Sequence, residues 1–185
     1  PQLDFRWIGL RGPREAYMEL TPEGLRIQPF EANIKELKPT STLFYRQQHS
    51  NFSFETSLQY KPGSEKDIAG IVCLQHEGSN YVFGITRVGK DYILLLERNQ
   101  SERGGANPKS EIVASTNIDV SRPIRLKVQA EGDAYRFSYA EDGADFMNLG
   151  GTVSGDILST NVAGGFTGAL IGLYATSGNN SLPVE

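Results

Sequence analysis

The sequence predicts an all-β fold, an antiparallel two-sheet β-sandwich, and three observations carry that prediction. Several segments alternate apolar and polar residues with a period of two. Other short runs are apolar on both faces. Turn sequences rich in glycine and aspartate separate these runs at short intervals. No window of a dozen residues carries a helical stripe. The best attempt, residues 32–38, is one short turn ended by Pro39.

Taken in order, the first alternating strand places Phe52, Phe54, Leu58 and Tyr60 on one face and Asn51, Ser53, Glu55, Ser57 and Gln59 on the other. Ile71-Val72-Cys73-Leu74, Ile93-Leu94-Leu95-Leu96 and Ala169-Leu170-Ile171 are apolar throughout, as central strands covered on both sides are. Leu126, Val128 and Ala130 alternate with Arg125, Lys127 and Gln129, and Tyr135, Phe137 and Tyr139 with Arg136 and Ser138. The turns are Lys61-Pro62-Gly63-Ser64, Glu77-Gly78-Ser79-Asn80, Val88-Gly89-Lys90-Asp91, Glu131-Gly132-Asp133 and Glu141-Asp142-Gly143. Residues 99–110, with Gly104-Gly105 and Pro108, are expected to form a long loop inserted between strands.

Composition narrows the function classes. The 185 residues, 1–185, suit a single β-sandwich domain with a core large enough to need no disulfide. Cys73 is alone and there are two histidines, which excludes a disulfide scaffold and a multi-thiolate zinc site. No stretch approaches ~18 apolar residues, so no membrane-spanning helix is expected. The net charge of −4, with Lys and Arg spread along the chain, argues against nucleic acid as a partner. A first residue of Pro rather than Met suggests a processed protein or a piece of a longer one. A lone thiol does not decide between cytoplasm and a periplasmic or secreted location.

Catalytic constellations are sparse. Glu141, Asp142 and Asp145 fall in turns, and Asp91 and Glu97 at strand ends, where carboxylates serve their own backbone. Asp142 and Asp145 lack the ligand count that calcium requires. His49 and His76 have no nucleophile elbow beside them, and Cys73 sits in an apolar run, as a buried structural thiol does. No cofactor and no metal are expected.

Two segments stand out. Arg46-Gln47-Gln48-His49 crowds four hydrogen-bonding side chains ahead of an alternating strand. Ala163-Gly164-Gly165-Phe166-Thr167-Gly168 sets an aromatic on a backbone free to turn and to approach a partner closely. Phe166 either meets such a partner or folds back over the end of the sandwich.

At these residues a resemblance becomes specific. Leu10-Arg11-Gly12-Pro13-Arg14-Glu15-Ala16-Tyr17 leads to Leu25-Arg26-Ile27. Arg46-Gln47-Gln48-His49 precedes the Phe52/Phe54 strand with Glu55-Thr56. Ala69-Gly70-Ile71-Val72 precedes Asn80-Tyr81 and Ile85-Thr86-Arg87. Gly164-Gly165-Phe166-Thr167-Gly168 runs into Ala169-Leu170-Ile171-Gly172-Leu173. Together these blocks resemble the C-terminal β-sandwich of glycoside hydrolase family 43 β-xylosidases and arabinofuranosidases, over nearly the whole chain. Tyr135 to Tyr139, with Asp142-Gly143 and Phe146, resembles a hairpin common in concanavalin A-like sandwiches.

The resemblance implies a concanavalin A-like jelly roll that is not catalytic alone. The family's catalytic carboxylates lie on an N-terminal five-bladed propeller, which this sequence does not supply. That propeller would hydrolyse xylose- or arabinose-containing glycans with inversion, one carboxyl acting as general acid and another activating water. The implied partners are the propeller of the same protein and a xylo- or arabino-oligosaccharide. By motif position, Phe166 would close the substrate pocket with Gly165 and Thr167 beside it, and Arg46 and His49 would support them. The family's closing strand, acidic and aromatic, is not found by Glu185, which leaves one sheet edge open to question.

Two other readings remain. An independent carbohydrate-binding module would need an aromatic platform, and Phe52, Phe54, Tyr60, Tyr135, Phe137 and Tyr139 are the candidates, although their alternation marks them as core. A structural and homo-oligomerising role would use Phe5, Trp7 and Ile8, which either cover the propeller junction or clasp their own domain.

Overall fold

Period-two alternation becomes sheet. The computed structural model describes residues 3–141, 143–165, 167–178 and 184. In it β1 (Met18–Thr21) and β2 (Gly24–Ile27) form a hairpin. Then come β3 (Ser41–Arg46), β4 (Asn51–Leu58), β5 (Ile68–His76), β6 (Ser79–Val88), β7 (Asp91–Gln100) and β8 (Lys109–Asn117). They are followed by β9 (Ile124–Glu131), β10 (Ala134–Glu141), β11 (Met147–Ser154), a single helical turn α1 (Thr160–Ala163) and β12 (Leu170–Thr176).

Two antiparallel sheets face one another, one ordered β11-β10-β9-β4 and the other β3-β12-β5-β6-β7-β8. This is the expected sandwich. Leu126 and Val128 of β9 and Phe137 of β10 meet Ile71 of β5 and Phe83 of β6 in the main core. Phe137 bridges the sheets, its ring 5.6 Å from that of Tyr81 and 5.4 Å from that of Phe83. The six-stranded sheet is also covered on its outer face, where Ile34, Phe44, Val72, Leu74, Val82 and Tyr174 cluster. That second layer is why β5 is apolar at consecutive positions.

Asp67 ties the chain together at the start of β5. Its side chain is buried, and it accepts hydrogen bonds from the backbone N–H groups of Gly63, Ser64 and Gly178 and from the Ser177 hydroxyl. Burial works to raise its pKa. The bonds from Ser177, Ser64 and Gly63 outweigh that and hold the carboxyl below its ordinary value.

Residues 32–38 hold one short turn and no helix, as expected: the Glu36 N–H bonds Asn33 O at 3.1 Å, and Asn33 also bonds the Lys35 N–H through its own side chain, an Asx turn that competes with helix. Other expectations change. The expected 99–110 loop shortens to 101–108, because β7 and β8 pair out to Gln100 and Lys109. Glu97 lies within β7 rather than at its end, and pairs with Lys35 at 3.1 Å. Trp7 packs inside its own domain, 5.4 Å from the Tyr45 ring, whereas Phe5 is 85% exposed. The β4 strand pairs with β9 alone among the described residues.

Candidate functional site

The site is built around the 163–168 segment. Ser159 caps α1, its hydroxyl accepting from the Val162 N–H at 3.3 Å. Gly164 ends that turn at φ +84°, and Gly165 and Gly168 continue at +79° and +72°. These left-handed values suit glycine and explain why the motif holds three of them. Phe166 lies outside the described residues, as does Asp142 of the calcium candidate pair.

Donors from the ends of β3 and β5 and from the 101–108 loop meet the described part of the segment. On the incoming side, Ala163 O accepts from the Gly104 N–H at 2.8 Å and from His76 Nε2 at 3.0 Å, and Gly164 O accepts from Gln75 Nε2 at 3.1 Å. On the outgoing side, Arg46 Nη1 donates to Thr167 O at 2.6 Å, and the Gln47 N–H donates to Ala169 O at 3.0 Å. Gly165 and Thr167 are exposed. Arg46, at the end of β3, therefore joins the candidate loop by a direct bond.

His49 is placed differently. It is exposed, and its backbone oxygen accepts from Gln47 Nε2 at 3.1 Å. It lines a hollow of about 440 Å³ with Gln48, Asp133, Asp156, Leu158 and Ser159. It also edges an apolar recess of about 290 Å³ between β3 and β4, walled by Trp7, Tyr45, Phe52, Phe54 and Ile171.

Gln75 and His76 carry the side-chain bonds on the incoming side, a role that the sequence pattern does not assign to either. One signal is present in the sequence: both close the strand that holds the apolar run Ile71–Leu74, just before a Gly-containing turn. The turn is further fixed by Asn80, fully buried, which donates to Glu77 O at 3.0 Å, and by an ion pair between Arg11 and Glu77. Arg11 has φ +59°, the one positive value outside glycine among the described residues.

The other candidates become structural. Tyr60, Tyr135, Phe137 and Tyr139 are buried in the core, and Phe52 and Phe54 pack against it. Tyr135 spends its hydroxyl on Gln47 Oε1 at 2.8 Å. Cys73 is buried, and burial pushes its thiol well above the ordinary range.

Comparison with known proteins places this geometry. The family described as beta xylosidase C-terminal concanavalin A-like domain matches residues 1–183. A non-reducing end α-L-arabinofuranosidase of Bacteroides ovatus is 26% identical over 181 residues, which cover 96% of this chain and 32% of that protein. A crystal structure of a GH43_12 protein from capybara gut metagenome superposes with a TM-score of 0.87 at 40% identity, covering 95% of this chain and 33% of that one. The xylan β-1,4-xylosidase of Bacillus halodurans shares the fold, with a TM-score of 0.86 at 21% identity, covering 100% of this chain and 36% of that one. The chain thus spans about a third of the length of these relatives. It belongs to the C-terminal concanavalin A-like domain family of glycoside hydrolase family 43 β-xylosidases.

Proposed function

We propose that this chain is the non-catalytic sandwich of a family 43 glycosidase acting on xylose- or arabinose-containing glycans. It packs on the catalytic propeller of the same protein and lends the 163–168 segment, Phe166 above all, to the substrate pocket. One observation carries this reading beyond family membership. The described flanks of this segment are bonded from β3 and β5, which fixes the base from which it leaves the sandwich. An aromatic wall there excludes water and shapes a small sugar subsite. Hydrolysis itself belongs to carboxylates of the propeller.

The experiment compares this chain with the longer protein that contains it. The longer protein should hydrolyse 4-nitrophenyl xyloside or arabinofuranoside, and the 185-residue chain should not. Turnover by the purified chain alone would overturn the assignment of catalysis to another domain.

A second reading has one observation in its favour. The recess between β3 and β4 is aromatic, with Arg46, Gln48 and His49 at its rim, which is the composition of a carbohydrate-binding module's site. Its volume of about 290 Å³ would take one or two sugar rings.

A further inference from the structure

We propose that His76, seconded by Gln75, is the positioning residue of the 163–168 loop, setting where and in what direction the backbone leaves the sandwich toward Phe166; its catalytic consequence rests on the pocket reading above. A regular strand points consecutive side chains to opposite faces. At the end of β5 that rule is broken. Leu74 pairs with Asn80 and His76 with Ser79, so the ladder slips there and Gln75 is the extra residue of a bulge. The bulge lets two consecutive side chains reach the same loop, Gln75 the Gly164 carbonyl and His76 the Ala163 carbonyl.

The histidine is held in one form. Its Nδ1 accepts the Gly78 N–H at 3.0 Å, which leaves the proton on Nε2, the atom that donates to Ala163 O. Gly78 has no room for a Cβ against Gly105 O and Ser101 Oγ, so the turn that presents its N–H packs tightly on the 101–108 loop. Behind that turn runs a polar chain: Asn99 Nδ2 donates to Asn80 Oδ1 at 2.9 Å and Ser110 Oγ donates to Asn99 Oδ1 at 2.6 Å. Arg11 closes the other side through Glu77.

Packing alone does not require this. An apolar residue at 76 would fill the space without aiming a donor at a loop carbonyl, and buried polar networks cost desolvation unless fully satisfied. What the network supplies is a stiff, directional base, and a subsite contact tolerates a displacement of only about half an ångström.

Two measurements test it. In this chain, His76→Leu should speed amide hydrogen exchange roughly tenfold at Gly104 and Gly164, whose N–H groups bond Ala163 O at 2.8 Å and Thr160 O at 3.0 Å, the ratio that corresponds to one lost hydrogen bond. His76→Gln, whose amide can donate to the same carbonyl, should restore most of the protection. Gln75→Leu serves as an independent variant if His76→Leu fails to fold, and should loosen the same amides. In the longer protein, His76→Leu should lower kcat/KM on 4-nitrophenyl xyloside or arabinofuranoside, with His76→Gln recovering it at an equal melting temperature. Unchanged exchange in both the His76 and Gln75 leucine variants would overturn the clamp whatever the activity does. Faster exchange with unchanged kcat/KM would leave the clamp standing and overturn its role at the pocket. An inactive longer protein of wild-type sequence would instead overturn the proposed function.

Discussion

Arg46 Nη1 lies 2.6 Å from the carbonyl oxygen of Thr167, a residue 121 positions further along the chain. Their neighbours explain the meeting. Arg46 closes β3, and its backbone pairs with Leu170 at the start of β12. The guanidinium reaches past that pair to the last turn of the glycine loop. A charged donor to a carbonyl makes a stronger bond than a neutral one. The outgoing side of the loop is thereby fixed to a sheet edge, as its incoming side is fixed to β5.

Phe166→Ala in the longer protein separates a pocket residue from a packing residue. The pocket reading expects a melting temperature close to wild type and a reduced kcat/KM on small aryl glycosides, because apolar contact is lost and water is admitted. Truncating a core Phe would instead cost ~3–5 kcal/mol of stability. A large loss of melting temperature with unchanged kinetics per folded molecule would make Phe166 a packing residue.

Much of the fold is legible in residue types, because a sheet face buries every second side chain. Phe52 and Phe54, Leu126 and Val128, and Tyr135 and Phe137 announce β4, β9 and β10 in this way. The strand β3 is harder to see, because Ser41 and Thr42 are buried and polar. Ser41 bonds Gln28 O and Thr42 Oγ1 accepts the Leu10 N–H, partners that only the tertiary fold supplies. The strand β11 is masked by Gly150 and Gly151, an irregularity at which Arg136 pairs with Thr152 and Phe137 with Leu149. At the site, the motif exposes the glycines and Arg46 but not Gln75. Its role depends on a bulge, and a bulge is a fact of pairing rather than of residue type.

Asp67 should be the acid-sensitive staple of the domain. Its folded pKa is held below the ordinary aspartate value of 3.8, so the stability it contributes is complete above that value and is lost as pH falls through the folded one. Asp67→Ala strands four donors and should cost ~2–4 kcal/mol at neutral pH. In thermal melts from pH 7 to pH 2, the variant should also lose the part of the acid slope that Asp67 supplies. An unchanged slope would assign acid sensitivity to other carboxylates.

Cys73 should be inert in the native chain. It is buried in the main core and its thiol is pushed above its ordinary range by that burial, so thiolate is scarce at neutral pH. A disulfide reagent such as DTNB at pH 8 should release thionitrobenzoate only when denaturant unfolds the chain. Stoichiometric labelling of the native protein within minutes would mean that the β5–β12 region opens readily.

Calorimetric titration with xylan, arabinan and their oligosaccharides decides between an accessory domain and a binding module. A module stacks successive sugars on exposed aromatic faces. Here Tyr135 and Phe137 are core residues, while Phe52 packs against them from the edge strand. The remaining candidate surface is the recess of Trp7, Tyr45 and Phe54, and there Trp7 already packs on both other rings, at 5.4 Å and 6.3 Å. A sugar would have to displace those contacts, and the recess is mainly apolar, offering few partners for its hydroxyls. The expected result is no saturable heat at millimolar or tighter affinity. Saturable binding that Tyr45→Ala abolishes at an unchanged melting temperature would make the recess the site, and the chain a glycan-binding module in its own right.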